Sequence, residues 1–419
     1  MRYLAALGIC VAAFTVSFGQ GPSSGRMEPA NPRVVVTSNI PSPEPVKMPA
    51  ASPSPFTAPA VSAVPAPPRP APAPIPAVPN TYLSFGQIKG KIAEAKRSLQ
   101  TRPMTTAMAE GSVLNEVVQI AYYDVKTKEV AFVSIGKEAF LTRGVPFSVI
   151  SSNGRQMTSR TVRANGVNTP VVLIDDAGTP HQPLMVQYPV VRNGVFIETA
   201  YYMSTHPGIA TPEVVSAGQL YVRNTIDIAR STLREKGFKI DPIVADMAER
   251  LATVEHVDHL RFRTEPHINI YSDVFTLYAL NEGQTYRYAV SSAGAGGMIQ
   301  MIPSTYRIMR ARYPSVNLMP DFVEGMRNHA NAAQAMLLYI QMTWDDLVSR
   351  PSVSNALATG IATPSQLMAA GYNSNPARLP GYITRGGAGW TNLIPRETKI
   401  YLQIYDSLER NVPMRPRVQ

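Results

Sequence analysis

Between residues 21 and about 80 the chain is almost entirely proline, alanine, serine and valine, as in VPAPPRPAPAPIPAVP from Val64 to Pro79, and roughly half of its 38 prolines fall there. Proline fixes φ and brings no backbone donor, so such a tract cannot propagate a helix or a sheet ladder. Its small side chains bury too little apolar surface for a core, and extended polyproline II is the expected state. At about 3.1 Å per residue its reach is at most on the order of 180 Å. Any folded core must therefore come from the residues after it. We expect the tract to be a spacer, with a docking ligand for a partner as its other use.

Residues 1–20 read as a secretion signal. Arg2 is followed by the apolar run Tyr3 to Phe18, and Ser17-Phe18-Gly19 offers small residues for cleavage. At about 16 residues the run is short for a spanning helix, which makes an uncut anchor the weaker reading. Cys10 is the only cysteine. It lies inside the apolar run after Ile9, which disfavours lipidation. A cleaved product would have neither disulfides nor a catalytic thiol. The expected setting is outside the cytoplasm, with no transmembrane segment after cleavage.

The remaining chain has the makings of an α+β fold. A short helix is expected over Thr81 to Gln100, then β structure from Val113 to about Met203. Lys126-Thr127-Lys128-Glu129 separates two apolar runs. Asn193-Gly194 sits between YPVV and VFIETAYY as a type I′ hairpin signal, and Asn165-Gly166 is a second candidate. After residue 206 the pattern turns helical. Thr211-Pro212-Glu213 opens a helix that Gly237 closes, and Asp241-Pro242 opens the next. The organisation expected is a small antiparallel β domain over 81–206 and a helical domain over 207–412. No internal repeat is present. The composition, 45% hydrophobic and 16% charged, supports a sizeable core.

The net charge of +10 suits a polyanionic partner, either nucleic acid, anionic lipid or an anionic wall polymer. No nucleic-acid motif is present and export argues against DNA. The strongest chemical signal lies further on. IYSDVFTLYALNEG, from Ile270 to Gly283, predicts a helix capped by Ser272 or Asp273 and stopped by Gly283. Glu282 would then be the last helical residue, where the helix dipole and apolar neighbours favour a protonated carboxyl. AVSSAGAGGMIQMIPSTY follows from Ala289 to Tyr306, with Pro303 opening a helix, then AAGYNSNP from Ala369, then PRETKIY from Pro395.

These three blocks, in this order, resemble the soluble lytic transglycosylase family of the lysozyme superfamily. Its motifs run E-S, A-V-S-x-x-G-A-x-G-L-M-Q-x-M-P-x-T, A-Y-N-A-G and P-x-E-T-x-x-Y. The resemblance covers 268–408. In the family the catalytic glutamate stands nine residues before the serine and eighteen before the glutamine, and counting back from Ser291 and Gln300 reaches Glu282 both times. The resemblance implies a mainly α, lysozyme-like C-terminal domain that cleaves the bond between N-acetylmuramic acid and N-acetylglucosamine in peptidoglycan glycan strands. It forms a 1,6-anhydro sugar, with Glu282 as single acid and base and no cofactor or metal. Ser291, Gln300, Tyr372 and Asn373 would bind sugar near the acid, and Glu397 would support the cleft wall. Gly283 departs from the family serine, Ile302 from a methionine, and Asn375 from a glycine whose left-handed turn asparagine can still adopt.

Most glycosidases use two carboxylates, and Glu265, Asp273, Asp321 and Glu324 are available to fold nearby. Glu255, in LATVEHVDH, is a rival acid set aside because it stands too far from Ser291 along the chain. His256 and His259, around Asp258, resemble half a metal site at most. Trp344, Trp390 and Tyr382 are candidates for sugar stacking, with core packing as the commoner role. A hydrolase of the same fold, or a non-catalytic wall-binding or assembly protein, are the alternative functions. The β region and the Pro-rich tract are the segments open to envelope assembly partners.

Overall fold

A computed structural model describes residues 83–101, 116–204, 206 and 208–418. The secretion signal, Cys10 and the Pro-rich tract lie outside the described residues. Helix α1 (Phe85–Thr101) presents Ile88, Ile92, Ala95 and Leu99 along one face, at the three- and four-residue spacing of a helical stripe. Seven strands follow: β1 (Val117–Tyr123), β2 (Val130–Gly136), β3 (Pro146–Ile150), β4 (Gln156–Thr161), β5 (Val171–Asp175), β6 (Pro180–Arg192) and β7 (Val195–Tyr202). A short helix, α2 (Lys137–Leu141), interrupts them after β2.

The strands pair antiparallel in the order β2-β1-β6-β5-β4-β3, with β7 also on β6. The expected hairpin at Asn193-Gly194 is present: both residues have positive φ, at 51° and 76°, and Arg192 pairs with Val195. The turn after β1 closes through the Asp124 amide on the Glu129 carbonyl. Asn165-Gly166 differs from expectation. Its two residues do not make a tight turn but lead into a single 3-10 turn, Gly166–Asn168, between β4 and β5. Five of the seven residues of β1 are buried, because α1 covers one sheet face and helices cover the other.

The helical region runs α3 (Pro212–Glu235), α4 (Pro242–Val254), α5 (His259–Thr264), α6 (His267–Asn281), α7 (Pro303–Arg312), α8 (Phe322–Arg327), α9 (His329–Val348), α10 (Pro351–Ala358), α11 (Pro364–Asn373), α12 (Leu379–Gly386) and α13 (Arg396–Asn411). Thr211 caps α3 by accepting from the Val214 amide, and Gly237 follows the helix end with φ 85°, as its sequence signals require. α6 starts earlier than expected, after Pro266, so Ser272 and Asp273 lie inside it. Asp273 is bonded to Arg261 at 2.7 Å and caps nothing.

α6 is apolar almost all round and forms the centre of the helical region. α3 crosses it at Gly218, where a Cβ would stand 1.9 Å from the Phe275 carbonyl oxygen. The end of β7 is pinned to the end of α6 by a reciprocal pair. The Met203 amide donates to Asn281 at 2.9 Å, and the Asn281 amide donates to the Met203 carbonyl at 2.8 Å. One continuous set of buried side chains accordingly runs from Ile120 and Tyr202 in the sheet to Val222, Tyr278 and Met336 in the helices. Among the described residues no helix is long and apolar enough to cross a membrane.

Gly218→Ala puts a methyl group into backbone rather than into a movable side chain. We expect it to lower the unfolding free energy by about 3 kcal/mol in urea titration. A loss below about 1 kcal/mol would show that α3 and α6 do not cross this closely.

Candidate active site

The four segments that meet around the end of α4 come from distant parts of the chain. α4 stops at Glu255 because the backbone tightens there: the His256 amide bonds the Thr253 carbonyl and the Val257 amide the Val254 carbonyl. Asp258 then caps α5 by accepting from the amides of Leu260 and Arg261. This turn leaves Glu255 facing α13, where the Tyr401 phenol donates to its Oε1 at 2.6 Å. Tyr401 is buried, whereas Glu255 keeps limited solvent contact although protein crowds it on all sides. Burial pushes the Glu255 carboxyl up to about 8; the Tyr401 hydrogen bond opposes this and the nearby charge of Glu397 adds to it.

The small-residue block wraps the same point. Its 3-10 turn, Gly297–Ile299, begins at Gly297, φ 69°, where a Cβ would stand 2.2 Å from the Met326 carbonyl oxygen. Only glycine lets the backbone approach so closely. Two successive carbonyls of this turn are held from opposite sides. His256, next to Glu255, donates from Nε2 to the Met298 oxygen at 2.9 Å, and the Tyr372 phenol donates to the Ile299 oxygen at 2.8 Å. The His256 ring also stacks on Tyr286, with centroids 3.3 Å apart. Burial lowers its pKa to about 3, so it is a neutral clamp whose Nε2 proton is already used. Tyr372 has its acidity weakened by burial first and by the charge of Glu255 second. The three motif blocks and the end of α4 thus converge on Glu255.

Glu282 has a different setting. α6 ends at Asn281, and Glu282 rather than Gly283 takes positive φ, with φ 43° and ψ −126°. Its side chain is 55% exposed and pairs with Lys89 of α1 at 2.5 Å. The apolar surroundings expected of it are found at Glu255 instead. Along the chain α5 and α6 lie between Glu255 and Ser291. A turn-forming acid after the buried helix α4, beside His256, was the signal available for Glu255.

The other expected residues divide. Tyr372 joins the Glu255 cluster, and Glu397, exposed in the first turn of α13, acts on it through charge. Gln300 ends the 3-10 turn with φ 47°, and its side-chain amide folds back on the Gly297 carbonyl at 2.9 Å. Ser291 closes its own loop, its Oγ accepting from the Ala295 amide at 3.0 Å. Asn373 is the half-buried last residue of α11. Asn375 does not adopt the left-handed turn; with φ −83° it caps the next turn by accepting from the Ala377 amide. Ile302 is exposed. The candidate second carboxylates are used elsewhere: Glu265 and Asp273 pair with Arg261, Asp321 caps α8, and Glu324 pairs with Arg327. Trp390 is core, donating to the Ile361 carbonyl, Trp344 packs against the core, and Tyr382 lies under Arg385.

Among the described residues, three of the six non-glycine residues with positive φ, Glu282, Tyr286 and Gln300, lie in the stretch that leads into this cluster. Such strain persists only where packing enforces it, and it concentrates at working sites. A partly accessible carboxyl that keeps its proton near neutral pH, oriented by a phenol, is equipped to act as a general acid. No family model, curated protein or solved structure matches the chain.

The carboxyl of Glu255 ionises near its ordinary value, 4.5, when unfolded and at about 8 when folded. Its contribution to stability is therefore complete below 4.5 and drains away as pH rises towards 8. Thermal melts of the wild type and Glu255→Gln should diverge across that window, the wild type losing more, and run parallel above it. A constant offset at every pH contradicts the raised value.

Proposed function

We propose that the helical region is a lysozyme-like domain and that the chain is an exported peptidoglycan lytic transglycosylase with Glu255 as its single acid and base, in place of Glu282. The observation that supports this reading is the convergence of the three motif blocks on one desolvated carboxyl. The protein's net charge of +10 suits an anionic wall.

In this reading Glu255 gives its proton to the oxygen bridging N-acetylmuramic acid and N-acetylglucosamine. The bond from that oxygen to C1 breaks, and the oxygen leaves as a hydroxyl. The N-acetyl oxygen of the muramic acid supports C1 in the interval. The Glu255 carboxylate, oriented by the Tyr401 phenol, then removes the proton of the 6-hydroxyl as O6 bonds C1. The proton is back on Glu255, the product is a 1,6-anhydro sugar and no water is consumed. A second carboxylate is unnecessary because the substrate supplies the nucleophile. The tight grip on the Met298 and Ile299 carbonyls keeps the small-residue turn at a fixed distance from the acid.

Purified protein incubated with peptidoglycan should release anhydro-muropeptides, identified by mass spectrometry. Glu255→Gln should lower the rate by about 10²–10⁴, while Glu282→Gln, which changes an exposed pair, stays within about threefold of wild type. Loss of activity in Glu282→Gln with Glu255→Gln active would return the acid to Glu282. Reducing-end products would make the chain a hydrolase, and no release by the wild type would leave a binder.

A further inference from the structure

A second feature lies at the tip of the β6–β7 hairpin. β5 pairs with β6 at Pro180 and His181, and β1 pairs with it from Gln182 to Gln187. Beyond that point, among the described residues, β6 pairs only with β7. Tyr188 to Arg192 and Val195 to Ala200 therefore form a two-stranded arm. A lone ribbon of this kind has little stability of its own. Lys137 steadies its base: Nζ donates to the Pro189 carbonyl at 2.8 Å and lies 4.6 Å over the Tyr188 ring.

The arm is apolar where a solvent-facing hairpin would alternate. Val195, Phe196 and Ile197 are 62%, 45% and 47% exposed. Successive strand residues point to opposite faces, so Val195 and Phe196 leave both faces of the tip apolar. The register shifts between Val190 and Val191, and Ile197 has no residue opposite it, which adds a third side chain to the run. Three consecutive exposed apolar residues mark a surface that something covers. A protein docked on the arm would cover one face, whereas an apolar medium surrounding the tip covers both.

Charge narrows the choice of medium. Between His181 and Ile197 the chain has no acid, and Arg192 beside the turn is exposed. The arm's one acid, Glu198, is bonded by Arg327 at 2.8 Å and stands 3.7 Å from Arg287. The tip thus joins an exposed cation to exposed apolar side chains, the combination that suits an anionic lipid surface.

We propose that the β6–β7 tip inserts Val195, Phe196 and Ile197 into the interface of an anionic lipid bilayer, with Arg192 at the headgroups. The assignment does not rest on the chemistry at Glu255.

The test is Phe196→Trp in the full chain, titrated with vesicles of phosphatidylglycerol that contain a minor share of phosphatidylcholine brominated near the headgroup end of its chains. The wild type, whose two tryptophans are Trp344 and Trp390, is the baseline. The readout is local to the tip, so lipid contacts made by residues 3–18 do not enter it. The added tryptophan should be quenched and its emission shifted to the blue. On vesicles of the phosphatidylcholine alone, half-maximal quenching should need about fivefold more lipid. Adding Ile197→Ser or Arg192→Glu, with folding checked by circular dichroism, should raise the lipid needed by about fivefold or more. Quenching no greater than in the wild type, equal affinity for the two lipids, or no effect of Arg192→Glu overturns the proposal. Dimerisation without lipid that Phe196→Ser abolishes, with no quenching on vesicles, assigns the tip to a second copy and overturns it as well.

Discussion

A carboxyl group crowded by protein but still touched by solvent is expensive to ionise, and the surroundings of Glu255 are arranged around that cost. The crowding comes from Tyr401 on α13, Tyr372 at the end of α11 and Tyr278 on α6. Phenols suit the task. They exclude water with an apolar ring and offer a hydroxyl that can bond the charged form when it appears. Tyr401 bonds the carboxyl directly, while Tyr372 and Tyr278 spend their hydroxyls on the carbonyls of Ile299 and Ala252. The acid is therefore enclosed by groups that are themselves hydrogen-bonded.

The rest of the fold serves that enclosure. α6 can lie at the centre because Gly218 lets α3 pass against its backbone. The glycine at 297 likewise lets the small-residue turn approach Met326, and so sets the level at which His256 and Tyr372 find their carbonyls. The sheet is tied in through Asn281 and Met203, and through Arg327, which bonds Glu198 of β7. α1 closes the opposite sheet face and reaches the end of α6 through Lys89. That last pair is solvent-exposed on both sides and contributes little to stability. It gives the exposed Glu282 a cationic partner.

Local signals were readable where a single residue has few alternatives. Asn193-Gly194 adopts the turn its two positive φ angles allow, Thr211-Pro212 starts α3, and Pro303 starts α7. The helix and strand succession followed from periodicity for the same reason. The site was legible only in part. The three motif blocks lie near one another around Glu255, but distance along the chain is not distance in space. The counted position, Glu282, is exposed after α6, whereas Glu255, before α5, is enclosed. Which glutamate is enclosed depends on Tyr372 and Tyr401, over a hundred residues away, and no local pattern carries that information. The same holds for Ser272 and Asp273, which look like helix caps but sit inside α6 because Pro266 starts it earlier.

The central claim is that one carboxyl, at Glu255, keeps its proton at neutral pH. Carbon-13 NMR of protein labelled at the glutamate side-chain carboxyl, with Glu255→Gln used for assignment, reads this without substrate or turnover. The predicted result is a single glutamate resonance, absent from the variant, whose shift moves with a midpoint at about 8. A midpoint for that resonance close to the ordinary 4.5 would contradict the account.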